Sequence, residues 1–475
     1  MPVITAIFRA DTSRQSEMQS QKLKELNSTP IRQLMWRYFW PSFIGVMANS
    51  LYNIVDRIFI GQAVGAEALS GVTAVFPIMI IMTAFGMLIG IGASVQVSLS
   101  LGRKDLETAQ KILGNATTLI ILVSIVITIA GFLVKGPMLR LFGANDTTIG
   151  YANDYLNYIL LGSVMHHFGF SMNGIIRAEG NARIAMYSML ISAGINVPLD
   201  ALFVLYLGMG VKGAAIATVI SMSLLAVWVL AHFLGKRCVV PLRRKYIGMQ
   251  PEIILAIVSI GISPFLMQAA NSVVQALLNL NLIKYGGDLA VGAMGIVNSV
   301  VFLIITSIIA LNMACQPIIG YNYGACNFVR VKETLRLAII IATLISTICW
   351  VITNLIPAVI IRAFVAHNGA LISLGVQGLR LFLLTLPVVG FQIVMGNYFQ
   401  SIGKASTAVF LTLLRQVFIL IPLLLILPPL MGLSGVWLAA PISDTGSAIV
   451  CCTLLLMEWK RISRAPAGTL CRESS

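Results

Sequence analysis

Runs of about 20 apolar residues, separated by short polar stretches, recur from residue 35 to residue 458. Within each run the apolar residues fill all sides. Strands of an outer-membrane barrel alternate apolar and polar with period two, so the pattern excludes them. Runs of this length match the hydrocarbon core of a bilayer when wound as helices. Twelve spanning helices are predicted, near 35–61, 68–98, 111–134, 148–171, 182–206, 212–234, 252–284, 288–320, 333–357, 370–400, 405–427 and 433–458. Helices 1, 2, 7, 8 and 10 exceed what a bilayer needs, so tilt, kinks or extension into water are expected.

The pattern repeats. ANS at 48–50 returns as ANS at 270–272, and Gly65 with Gly287 and Gly213 with Gly435 share the same offset of 222. Pro41 with Pro264 and Gly180 with Gly403 differ by 223. A near-constant offset along a whole half marks an internal duplication. Six helices per copy give both copies the same sense in the membrane, related by an axis along its normal. The expected fold is an all-α polytopic membrane protein of two pseudo-symmetric six-helix bundles. Its parts are a tail at 1–30, a first lobe at 31–234, a linking loop at 235–251, a second lobe at 252–458 and a tail at 459–475.

Composition agrees with this reading. The 475 residues are 58% hydrophobic and 10% charged, too few charges to cover a soluble surface. Residues 1–30 are polar and lack the apolar stretch of a signal peptide, and Met18 is a second candidate start. The net charge of +15 would fit nucleic acid if it formed one stripe, but the basic residues recur in short loops, so no nucleic-acid partner is expected. With the N-terminus inside, inner segments hold twenty-four Lys and Arg and outer ends hold six. That bias puts both termini in the cytoplasm. The seven cysteines show no metal-ligand spacing and are expected to be unbridged packing residues.

Charges inside the helices then stand out. Asp56, Asp200 and Asp444 each interrupt an apolar run. A carboxylate at the centre of a spanning helix costs about 2.5–3.5 kcal/mol on insertion scales, so it is paired, faces water, or works. Counted from the helix ends, Asp56, Asp200 and Thr218 all lie roughly 8–9 Å below the outer edge. Asn196 is one turn from Asp200 on the same face, and Asn53 is nearly one turn from Asp56. Two carboxylates, amides and a hydroxyl at one level make an oxygen-rich cage that suits Na⁺ or a shared proton. The bland alternative is a structural polar network. Pairing of Asp56 with Arg57 is disfavoured, because helix neighbours diverge by about 100° and Arg57 can snorkel. In the second half, Arg415 and Asp444 fall at similar depth on neighbouring helices. They are read either as a structural salt bridge or as a substrate or gating pair. Gln268, Arg380 and Asn53 are candidate cleft-lining residues, and His166 and His167 are read as packing.

The residues around these acids resemble a known family. NIVDRIFIGQAVGAEALSGVTAVFP (53–77), the 177–221 region, ACQPIIGYNYGACN (314–327) and FQSIGKAS (399–406) are similar to signatures of the MATE (multidrug and toxic compound extrusion) transporters. The resemblance covers about residues 30 to 460 and is nearest to the bacterial branch whose cation site lies in the N-terminal lobe. It implies that Asp56, Asn196, Asp200 and Thr218 bind Na⁺ or H⁺. It also implies that Pro41 is a point of helix bending. Some members carry acids in helices 7 and 10; this chain has Gln268 and LPVVGF (386–391) there, which argues against a second-lobe cation site.

The function expected is secondary active multidrug efflux. Amphipathic, often cationic, organic compounds would leave in antiport with Na⁺ or H⁺, from a monomer in a bacterial cytoplasmic membrane. No cofactor is expected beyond the coupling ion, and no GxxxxGK[ST] loop is present for ATP. A flippase for lipid-linked saccharide is the alternative, although a phosphate-bearing substrate would want more central Arg or Lys than Arg380 and Arg415. An enzyme is not expected, because the helices carry no HExxH, DDxxD or Ser/His/Asp arrangement.

Overall fold

The computed structural model describes residues 24–235, 238–365 and 369–464. The expected tails and part of the linking loop lie largely outside them. Among the described residues the chain is helical. The first six spans are α1 (Ile31–Ala63), α2 (Ala66–Gly102), α3 (Leu106–Leu141), a bent α4 (Ile149–Leu161 and Ser163–Ala178), α5 (Ala182–Tyr206) and α6 (Gly210–Leu234). One continuous element, Pro251–Gly324, has a non-helical residue, Gly287, and divides there into α7 (251–286) and α8 (288–324). Then come α9 (Phe328–Leu355), a bent α10 (Gly369–Phe382 and Leu386–Ser401), α11 (Ala405–Met431) and α12 (Leu433–Arg464). Counting each bent pair as one span and dividing the long element at Gly287 gives the twelve expected spans. The bends are 58° in α4 and 51° in α10; the excess length of the tenth run allowed for a kink there, whereas the bend in α4 was not legible in the hydropathy.

The duplication is written into the backbone of the turns. Gly65 and Gly287, 222 apart, have φ of +108° and +65°. Gly180 and Gly403 have +99° and +80°, and Gly210 and Gly432 have +58° and +61°. Only glycine enters that region freely, so each pair marks one chain reversal used twice within the molecule. Lys104 and Cys326, again 222 apart, take φ of +61° and +58° despite their side chains. The residue after each caps the next helix: Asp105 accepts from the Thr108 N–H at 2.9 Å, and Asn327 accepts from that of Arg330.

The chain forms two compact units. One runs to Phe265 and includes Gly320–Ala325; the other holds Leu266–Ile319 and the residues from Cys326 on. The contact boundary therefore falls inside α7 and α8, not at the linking loop. Within the first unit α1 packs along α5, α2 along α3 and both pieces of α4, and α6 along α4 and α5. Close backbone approach fixes some crossings. A Cβ on Gly102 would lie 2.1 Å from the Tyr321 carbonyl oxygen, and one on Gly324 2.2 Å from that of Leu99. These two contacts exchange under the offset of 222. Within the second unit α9 and α12 both pack on the second piece of α10, and α11 packs on α12.

Two buried acids were not singled out in the sequence. Glu179, at the end of α4, is fully buried. Its Oε2 accepts from the Val239 and Val240 N–H groups at 2.9 and 3.0 Å, and its Oε1 meets His232 and Asn181. It ties the linking loop to the first unit. Glu458 in α12 pairs with Lys404. The expectation of unbridged cysteines holds for Cys238, Cys315, Cys349, Cys451 and Cys452. It fails for Cys326, which is disulfide-bonded.

Candidate functional site

Four elements of the first unit bring polar side chains into an apolar interior. α1 supplies Asp56, α5 supplies Asn196 and Asp200, α6 supplies Thr218, and α4 adds Tyr155. All are buried, Asn196 and Asp200 completely. Around them lies the unit's core, including Ile60, Val75, Leu156, Ile159, Val204 and Ala214. Asp56 and Asp200 are close enough to interact electrostatically. At Asp200 the α-helix gives way to a π-helical stretch, Ala201–Tyr206, a local widening that often marks a functional position.

The hydrogen-bond inventory is short. Tyr155 donates its hydroxyl to Asp56 Oδ2 at 3.4 Å. Among the described residues, Asp56 Oδ1, both side-chain atoms of Asn196, both carboxylate oxygens of Asp200 and the Thr218 hydroxyl have no hydrogen-bond partner. Buried polar groups are ordinarily hydrogen-bonded, so six such atoms in one region call for an explanation. Five are oxygens, from carboxylates, an amide and a hydroxyl. That donor set fits a hard monovalent cation or a proton shared between carboxylates. It does not fit a transition metal, and no group of three His, Cys, Asp or Glu side chains occurs among the described residues.

The other sequence-derived residues fall as follows. Arg57 is exposed and stacks over the Phe76 ring at 4.6 Å, and it forms no salt bridge with Asp56 among the described residues. Asn53 gives its amide N–H to the Asn49 carbonyl on its own helix at 2.7 Å. Pro41 lies inside α1, which runs unbroken through it. His167 bonds the Ser124 hydroxyl at 2.8 Å. His166 lines a recess with Met79, Met82, Ile159, Val219 and Met222.

In the second unit Arg415 Nε donates to Asp444 Oδ1 at 2.7 Å, so this expected pair forms. Thr385 donates to the other Asp444 oxygen at 3.5 Å. Gln416 donates to Asn271 at 2.8 Å, and Asn271 to Gln268 at 3.5 Å. Arg380 is exposed. Leu278, the counterpart of Asp56, is buried.

Comparison with known proteins decides the family. The family model described as MatE matches residues 41–202 and again 264–426, one match per repeat. The chain belongs to the MATE family. Among curated relatives, the multidrug export protein MepA of Staphylococcus haemolyticus is 26% identical over 91% of this chain and 95% of its own. MepA of Staphylococcus saprophyticus is 24% identical over 94% and 98%. Among solved structures, the MATE multidrug transporter DinF-BH is 39% identical, with a TM-score of 0.85 over 90% of this chain and 96% of that one. A MOP-superfamily transporter from Pyrococcus furiosus is 26% identical, with a TM-score of 0.87 over 93% and 98%. This MATE protein is therefore a multi-pass membrane transporter rather than an enzyme.

Tyr155 is the site residue that the sequence reading missed. It sits 99 positions from Asp56, and an aromatic residue in an apolar run carries no signal of its own.

Proposed function

We propose that this MATE protein exports amphipathic organic compounds, many of them cationic, in antiport with Na⁺ or H⁺, and that Asp56, Asn196, Asp200 and Thr218 carry the coupling ion. The observation behind the reading is the set of six buried polar atoms without hydrogen-bond partners among the described residues, five of them oxygens. A cation there satisfies the lone pairs that the fold leaves open and offsets the cost of two acids in an apolar interior. Na⁺ would be ligated by the oxygens; a proton would be held between the carboxylates. Asp200 and Asp56 bind the ion, Asn196 and Thr218 complete its shell, and Tyr155 orients the Asp56 carboxylate.

Coupling follows from differential affinity. An ion shifts a conformational equilibrium only as far as it binds one state better than the other. Binding removes charge repulsion between α1 and α5, and Pro41, which gives no N–H to the preceding turn, lets α1 bend in response. Both termini would face the cytoplasm, as the lysine and arginine bias requires.

The test is efflux of a cationic dye from proteoliposomes, with Na⁺ and pH gradients imposed separately. One gradient should drive efflux in the wild type. Efflux that ignores both gradients, or translocation of lipid-linked saccharide without dye transport, would overturn the proposal.

A further inference from the structure

We propose that Arg415, held by Asp444, forms a subsite in the second unit for the carboxylate of zwitterionic substrates. This rests on the export reading above and adds a second charge preference to it.

The repeat supplies an internal control. Subtracting 223 from 415 gives Ser192, and subtracting 222 from 443 and 444 gives Ser221 and Met222. In the first unit this crossing of α5 and α6 is closed by one neutral bond, from the Ser192 hydroxyl to the Ser221 carbonyl at 3.0 Å. In the second unit the crossing of α11 and α12 has its own neutral bond, from the Ser443 hydroxyl to the Arg415 carbonyl at 2.7 Å. The crossing is closed without charge in both places. The Arg415–Asp444 pair is therefore additional to what the fold needs. Buried ion pairs seldom stabilise more than apolar residues of the same shape, so stability does not account for it.

The pair's open side is a donor. Both Asp444 oxygens already accept, one from Arg415 and one from Thr385. The Asp444 backbone carbonyl accepts from Gln392 and Ser447. The Asp444 side chain is 6% exposed, whereas that of Arg415 is 27% exposed. Only Nε of the guanidinium is bound to Asp444, and no other protein acceptor engages its two terminal nitrogens among the described residues. Those nitrogens form the planar fork that matches a carboxylate. A cation would meet no unused acceptor on Asp444, so the geometry selects an anionic group. Arg415 sits in a π-helical stretch, Leu414–Leu420, another widened segment of an otherwise regular helix. With the site empty, Asp444 neutralises the guanidinium. With a zwitterion bound, the carboxylate takes the fork and the ammonium remains for an apolar or acidic surface.

The probes are a rhodamine dye in its free-acid form and the ethyl ester of the same dye, bound to the purified full chain in detergent. The variant is Arg415→Gln with Asp444→Asn, which removes the pair without stranding a charge. Its free-acid Kd should rise about tenfold, the loss of one charge-assisted contact, while the ester Kd should change less than about twofold. Arg415→Lys, which keeps the ion pair but loses the fork, should also weaken free-acid binding selectively. An equal loss for both dyes, or no loss for the acid, would overturn the subsite. A wild type that binds neither dye would overturn the export reading and the subsite with it. A wild type that binds the ester normally but shows no variant effect on the acid would overturn the subsite alone.

Discussion

Asp200 in α5 and Asp444 in α12 are both buried acids in apolar spanning helices, and they meet opposite company. Asp444 has a guanidinium on one oxygen and a hydroxyl on the other. Neither oxygen of Asp200 has a hydrogen-bond partner among the described residues, and the nearby acid is Asp56. A pair that carries its own countercharge has little need of an external cation. A pair of acids without one does. The two repeats share their turns, their caps and the offset of 222, so the difference lies in side chains and not in architecture. It is the reason the proposed cation coupling is placed in the first unit.

The largest expected effect breaks the comparison on its first side. Asp200→Asn, and likewise Asp56→Asn, should reduce gradient-driven dye efflux to background while leaving expression and thermal stability intact, because each removes an acid with no countercharge to strand. Counterflow and melting curves in detergent check both halves of that statement. On the other side, Arg415→Gln alone leaves Asp444 buried and unpaired. It should destabilise the protein by about 3–5 kcal/mol, and adding Asp444→Asn should restore most of the loss. A single variant as stable as wild type would mean that the pair is not buried as described.

Smaller changes sharpen the contrast. Tyr155→Phe removes the hydrogen bond that Tyr155 gives to Asp56 and should weaken ion affinity by up to about tenfold, without abolishing transport. Ion-dependent protection against unfolding would report it. Ser192→Ala and Ser443→Ala delete matching crossing bonds in the two units. Each should cost about 1 kcal/mol, with similar values in the two places. Unequal costs would show that the two crossings are not equivalent.

Much of this was legible in the sequence for a simple reason. Hydropathy fixes which segments span, and an acid within such a segment is conspicuous because lipid penalises it. Asp56, Asp200, Asp444 and Arg415 stood out on that ground alone. Asn196 followed by helix spacing from Asp200, and Thr218 by its depth counted from the outer end of the sixth helix. What escaped notice depends on long-range geometry. Tyr155 looks like any aromatic residue of an apolar run. Glu179 sits beside a turn, where an acid is ordinary, and only the fold shows it fully buried against the linking loop. The bend in α4 falls within an apolar run that hydropathy reads as continuous, whereas the excess length of the tenth run allowed for a kink. The reach of α7 and α8 into the first unit is likewise invisible to a count of apolar residues.

The most direct measurement is cation binding to the purified protein, followed as retention of radioactive sodium and as proton uptake. The wild type should bind one of the two ions. Asp56→Asn and Asp200→Asn should abolish that binding, and Arg415→Gln with Asp444→Asn should retain it. Binding that survives both first-unit variants, or that disappears in the second-unit double variant, would contradict the assignment of ion coupling to the first unit.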